Sequence, residues 1–155
     1  MKRFVLLAVL AGCGTDPAQV AGNYTVALTN RTNGCNYANW QVDQSTSGVA
    51  VQFTQTDTSI SATVNGLAGG ALSLVLGTNV FTGSIDGNAL DLKITGTVGQ
   101  TMGNCAYTRN AEIVATYANN SISGSVRYTN ADNGNSDCVP GCVSLQDFAG
   151  SRPPQ

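Results

Sequence analysis

Residues 111–129 read AEIVATYANNSISGSVRYT, and this stretch decides the fold. Ala111, Ile113, Ala115 and Tyr117 take every second position up to Asn119-Asn120. Ile122, Gly124, Val126 and Tyr128 return in the same rhythm, set against Ser123, Ser125, Arg127 and Thr129. A period of two marks a strand with one buried face, and asparagine tolerates the positive φ of a tight hairpin turn. The stretch therefore predicts an antiparallel strand pair with one apolar side.

The same rhythm extends upstream. Tyr24, Val26 and Leu28 alternate with Thr25, Ala27 and Thr29; Val49, Val51 and Phe53 with Ala50, Gln52 and Thr54; Ile60, Ala62 and Val64 with Ser61 and Thr63. A Gly-rich bend over residues 66–70 leads to Leu72, Leu74 and Leu76, read as a further strand. Phe81, Gly83 and Ile85 run into the turn Asp86-Gly87-Asn88, and Leu90, Leu92 and Ile94 leave it. Altogether this makes about eight strands with mostly short connections, so neighbours are antiparallel. A meander of that size removes its exposed edges by closing. The expected architecture is all-β, a roughly eight-stranded up-and-down β-barrel, with a two-sheet β-sandwich as the alternative. The pattern is broadly similar to lipocalin and avidin barrels, although the lipocalin Gly-x-Trp motif is absent and Gly22-Asn23-Tyr24 is only a faint echo of it.

Alternation alone does not say which face is inside. A transmembrane barrel would turn the apolar set toward lipid, with strands of about 9–11 residues and aromatic girdles. The runs here are shorter and the aromatics scattered, so the apolar set is assigned to the interior. Gly83, Gly96 and Gly124 fall on apolar-phase positions and are read as bends and room for large side chains such as Phe53, Phe81 and Tyr117, with space for a ligand as the competing reading. Residues 130–141 read as a polar loop, residues 142–150 as one or two helical turns, and residues 151–155 as an extended tail.

Composition agrees with a strand-and-turn protein. Of 155 residues, 18 are Gly, 17 Thr, 15 Asn and 12 Ser, and only 10% are charged. Histidine is absent, which removes imidazole general-base chemistry and His-ligated zinc. A net charge of −2 offers no footprint for nucleic acid.

The N-terminus reads as a targeting segment. Lys2 and Arg3 precede the apolar run Phe4 to Leu10, which is too short for the about 20 residues of a membrane helix. Leu10-Ala11-Gly12-Cys13 closes the run and resembles the lipobox of bacterial lipoproteins. That resemblance implies cleavage before Cys13, a diacylglycerol on its sulfur and a palmitate-type acyl group on its amine. It makes residues 1–12 a signal peptide, residues 13–21 the lipidated cysteine with a short polar tether, and residues 22–150 a single β domain. Gly14 rather than Asp follows the cysteine, which by the same resemblance implies the outer membrane of the cell envelope.

Four cysteines remain: Cys35, Cys105, Cys138 and Cys142. An even number in an exported domain reads as two disulfides. Three pairings exist; Cys35–Cys105 with Cys138–Cys142 is favoured, because Cys138-Val-Pro-Gly-Cys142 is a turn and the other two share a Cys-x-Tyr context. No metal site and no cofactor is expected: Asp132-Asn133-Gly134-Asn135-Ser136-Asp137 lacks the spacing of a calcium loop. The carboxylates suggest no acid–base pair, and no serine has a histidine partner. Arg31 and Arg109 flank the two Cys-x-Tyr loops, so Arg31, Tyr37, Trp40, Tyr107 and Arg109 form a candidate recognition surface.

These features point to a non-enzymatic envelope lipoprotein, held to the membrane by its lipid anchor, that binds a small apolar or glycan ligand. The alternative is a structural or protein-interaction component, including an inhibitor of hydrolases. An internal void of about 300 Å³ or more separates the two, because a ligand needs it and an interaction surface does not.

Overall fold

The computed structural model describes residues 16–153. The apolar run, the lipobox-like segment and Cys13 lie outside the described residues, as do Pro154 and Gln155. The elements run β1 (Gly22–Asn33), β2 (Ser45–Thr56), β3 (Ser59–Val64), α1 (Gly66–Leu76), β4 (Val80–Asp86), β5 (Ala89–Thr95), β6 (Gln100–Met102), β7 (Cys105–Ala118), β8 (Ser121–Asp132) and β9 (Val143–Ser151).

Eight of the strands form a closed antiparallel barrel. Consecutive strands pair in order, β5 skips the short β6 to pair with β7 from Ala89↔Thr116 to Thr95↔Asn110, and β9 returns to β1 from Thr25↔Ser151 to Asn33↔Ser144. Closure between first and last strands selects the barrel over the sandwich. β6 lies outside the ring and extends β7 as a flap (Gln100↔Tyr107 to Met102↔Cys105).

The two ends of the barrel differ. At one, Asp57-Thr58, Gly87-Asn88 and Asn119-Asn120 make two-residue turns. Asn119 and Asn120 hold φ of 50° and 61°, the paired left-handed conformation of a type I′ turn, which matches the right-handed twist of the flanking strands. At the other end the connections are long: residues 34–44, α1, the β6 flap, and residues 133–142.

The interior holds the apolar phase of the alternation. Tyr24, Val26, Val51, Phe53, Ile60, Ala62, Phe81, Ile85, Leu90, Leu92, Ile94, Ala111, Ile113, Ile122, Val126 and Phe148 are buried, with Tyr24 edge-on to Phe53 at 5.1 Å between centroids. The tight-turn end is sealed by the chain before β1. Val20 is fully buried, Ala18 N donates to Gly87 O, and Gln55 both accepts from Val20 N and donates to Ala18 O. Of the short tether expected over residues 13–21, Ala18 to Val20 are docked on this end of the barrel.

Three expectations are corrected. Residues 72–76 are helical: Ala68, Leu72, Val75 and Leu76 recur at spacings of three and four and face the barrel, so the face they share is helical rather than alternate. Gly69 lets this helix seat on the barrel, since a Cβ there would collide with Val64 O, and Gly77 ends it in the left-handed conformation (φ 88°) with its N–H on Ser73 O at 2.9 Å. Residues 143–151 are a strand, not helical turns, because the barrel needs β9 to close. Arg152 does not trail: it donates to Ala21 O, Asn120 Oδ1 and Tyr117 Oη and so ties the end of β9 to the sealed end.

Gly83, Gly96 and Gly124 are sites of close strand approach. A Cβ at each would strike backbone of the neighbouring strand, at Asp91 O, Arg109 O and Val114 O respectively, and none lines the barrel's cavity.

Candidate ligand cavity

The long-loop end opens into a cavity of about 380 Å³ that runs down into the barrel. Its floor is apolar: Val51, Phe53, Phe81, Ile113, Val126 and Phe148. One side is α1, through Ala68, Ala71, Leu72, Val75 and Leu76. Above the opposite side lies the loop 34–44, with Tyr37, Ala38 and Trp40. Arg109, Tyr128 and Gln146, with Thr46, supply the polar part of the wall.

These polar groups arise from a change in the strand pattern. On β7, β8 and β9 the inward phase runs Ala111–Arg109, Val126–Tyr128 and Phe148–Gln146 toward the mouth, so each strand switches from apolar to polar as it nears the opening, in a stagger that pairs Gln146 with Val126 and Tyr128 with Ala111. Tyr128 Oη donates to Gln146 Oε1 at 2.8 Å, and Gln146 Nε2 donates to Asn30 Oδ1 at 2.6 Å. Each buried polar atom in that chain therefore has a partner, as a low-dielectric site requires. Burial pushes the Tyr128 phenol far above its ordinary range, and the neighbouring Tyr37 adds to the effect.

The aromatic loop is held in place from below. Asn33 Oδ1 accepts from Tyr37 N, Asn33 Nδ2 donates to Tyr37 O, and Tyr37 Oη donates to Asn130 Oδ1 at 2.9 Å. Ser144 is fully buried; its hydroxyl accepts from Cys35 N and donates to Asn33 Oδ1. Trp40 donates its indole N–H to Arg31 O, and the rings of Tyr37, Trp40 and Tyr128 pack within 6.5 Å of one another. Burial raises the Tyr37 pKa, partly offset by the Arg109 cation.

Two disulfides pin the same end, and their pairing differs from the expected one. Cys35 bonds Cys142, tying the loop after β1 to the start of β9, and Cys105 bonds Cys138, tying the start of β7 to the connection between β8 and β9. The turn Cys138–Cys142 does not close on itself, because each of its cysteines reaches a different neighbouring strand end.

The candidate recognition residues meet here in part. Tyr37, Trp40 and Arg109 line the cavity; Tyr107 lines an adjoining cleft of about 170 Å³, shared with Arg109 and with the loops of Cys35 and Cys105. Arg31 faces away, in ion pairs with Asp43 at 2.5 Å and Asp147 at 2.7 Å, which also hold its pKa above the ordinary arginine value. Tyr128, Gln146 and the α1 wall were not singled out from the sequence.

Arg109 stands apart from the other arginines. Its guanidinium lies 4.0 Å above the centroid of the Tyr37 ring and 5.9 Å from that of Tyr107, a contact that contributes about 1 kcal/mol for a half-buried cation. One Nη reaches Tyr107 Oη at a long 3.5 Å. Among the described residues it forms no ion pair, and its Nε is buried with no hydrogen-bond partner. The loop 132–137, by contrast, satisfies itself through successive Asx turns, Asp132 accepting from Gly134 N, Asn133 from Asn135 N and Asn135 from Asp137 N.

Compared with protein-family models, with curated proteins and with solved structures, the chain matches none.

Proposed function

We propose that this protein is a membrane-tethered, non-catalytic binding module whose barrel holds a small, mainly apolar ligand. The observation that carries the reading is the cavity: about 380 Å³ lies within the about 300–1,000 Å³ typical of small-molecule sites. A filled interior would have favoured a purely structural or inhibitory role. The apolar floor favours a hydrocarbon-like body over a glycan, whose hydroxyls would each need a partner the floor lacks.

Attachment at Cys13 follows from the lipobox-like segment. Two or three acyl chains anchor firmly, since each buried methylene contributes about 0.8 kcal/mol and a single chain is marginal. In cells, inhibition of the lipoprotein signal peptidase is expected to leave unprocessed precursor, and labelled fatty acid to mark the untreated protein. Normal maturation without label removes the anchor from the proposal.

The ligand is tested by native mass spectrometry of protein extracted from its own membrane. A co-purified small molecule, released on unfolding, is the expected result. A ligand-free mass, together with failure to take up N-phenyl-1-naphthylamine saturably at one site per barrel, overturns the binding reading.

A further inference from the structure

We infer that the cavity selects amphipathic anions, with Arg109 holding the acidic head and the barrel floor holding the apolar arm. The inference rests on the binding reading above and deepens it. An apolar cavity gains nothing from a cation in its wall. Placing one there costs solvation, and proteins ordinarily offset that cost with a paired carboxylate. Even at the surface Arg31 and Arg127 form ion pairs, with Asp43, Asp147 and Glu112, and Arg152, which forms none among the described residues, gives its guanidinium to Asn120 Oδ1, Ala21 O and Tyr117 Oη. Arg109 has neither arrangement: its guanidinium lies over Tyr37, its Nε is buried and unpartnered, and the cavity lining contains no acidic side chain. Asp132 lines the adjoining cleft but forms no ion pair with it.

The surroundings fit an incoming oxyanion. The ring of Tyr37 covers one side of the guanidinium and one Nη reaches Tyr107 Oη only at 3.5 Å, which leaves the other Nη with no hydrogen-bond partner among the described residues. An arginine so held matches the flat, two-oxygen edge of a carboxylate or phosphate. Tyr128 and Gln146 are already committed to each other and to Asn30, so the charge falls to Arg109 alone. Below it the interior is hydrocarbon-like down to Phe53 and Phe81. One positive group at the mouth and an apolar shaft beneath specify one negative group on an apolar arm.

The test compares four probes of equal chain length on the folded protein by calorimetry: dodecanoate, dodecyl phosphate, dodecanol and dodecylammonium. Dodecanoate or dodecyl phosphate is expected to bind roughly tenfold to a hundredfold more tightly than dodecanol, and dodecylammonium most weakly. Which of the two anions binds better distinguishes a carboxylate from a phosphate head. Arg109→Gln is expected to abolish the advantage of the anions, so that they bind no more tightly than dodecanol, and Arg109→Lys to retain part of it. A circular dichroism spectrum and melting transition like those of the unaltered protein show that the variant still folds. Equal affinity for anion and alcohol in the unaltered protein, or an equal loss of both in Arg109→Gln, overturns the inference while the binding reading stands. Binding of none of the four overturns both.

Discussion

Gly124 sits on the inward phase of β8, yet it is the neighbouring strand rather than the cavity that forbids a side chain there. A Cβ would meet Val114 O and the Cα and Cβ of Ala115 across the pair. Gly124→Ala is therefore expected to lower stability by about 1–3 kcal/mol, the usual cost of overpacking, read as a shifted urea midpoint with unchanged slope. An unchanged midpoint would show that the strands can part at no cost. The phenols make a second residue-scale prediction. Tyr24, Tyr37 and Tyr128 all have pKa values raised by burial from the ordinary 10.0, so the unfolded chain ionises first as the solution turns alkaline. Their contribution to stability is fully present below pH 10 and is lost as pH rises above it. The melting temperature is expected to hold level on their account up to about pH 9 and fall beyond 10, with part of the phenolate absorbance appearing only on unfolding. Complete phenolate titration in the folded protein near pH 10 would contradict the burial of these rings. At this scale the interior was legible, because Tyr24, Val51, Phe53 and Ile113 are apolar on a strict alternation. The site was half legible. Tyr37, Trp40 and Arg109 stood out as rare residue types in a chain of Thr, Ser and Asn, whereas Gln146 is an ordinary polar residue whose inward direction comes only from pairing.

At the scale of elements, the disulfides join segments far apart in sequence. Cys35–Cys142 closes a separation of 107 residues and Cys105–Cys138 one of 33. In the chain-entropy account these stabilise by about 5 and about 4 kcal/mol, through the unfolded state. Replacing Cys35 and Cys142 by serine is expected to lower the unfolding free energy somewhat more than replacing Cys105 and Cys138, with the paired cysteines confirmed by peptide mapping without reduction. A peptide linking Cys138 to Cys142 would contradict the arrangement. The favoured pairing from sequence failed because a turn sequence shows only that its ends can meet, whereas the barrel places each end beside a different strand. The remaining misreadings share one cause. In residues 71–76, ALSLVL, an apolar run satisfies both a two-residue and a helical period, and the glycines before it conceal a helix start. In residues 143–151, VSLQDFAGS, the inward face begins with Ser144 and Gln146 because it borders the mouth, so hydrophobic alternation gives no strand signal. The count of eight barrel strands agrees because one false strand and one overlooked strand offset each other.

For the whole molecule, the proposed attachment at Cys13 would let the polarity of the barrel constrain how it stands on a membrane. The chain enters at the sealed end, where Ala18 and Val20 are docked beside Gly87 and Gln55, and the mouth with Trp40 lies at the other. Strands of 12 residues such as β8, at about 3.3 Å per residue and tilted about 40°, make the barrel on the order of 30 Å tall. If Cys13 carries the anchor, the three residues 13–15 add at most about 11 Å of reach. That is too little for the barrel to turn over and set its mouth on the headgroups. An opposing cue comes from α1, whose Leu67 and Leu74 are 96% and 79% exposed and would suit contact with lipid. The two cues give opposite orientations, and energy transfer separates them. With the acylated protein in vesicles carrying a dansyl lipid, Trp40 is expected to transfer weakly. A tryptophan placed at the opposite end, Asn88→Trp in a Trp40→Phe background, is expected to transfer strongly. Stronger transfer from Trp40 would mean that the barrel lies over with α1 on the bilayer, so that a ligand passes directly between lipid and cavity. On the proposed attachment the tether geometry favours the upright stance, in which the cavity would face the aqueous side and a ligand would reach Arg109 from solution or from a carrier.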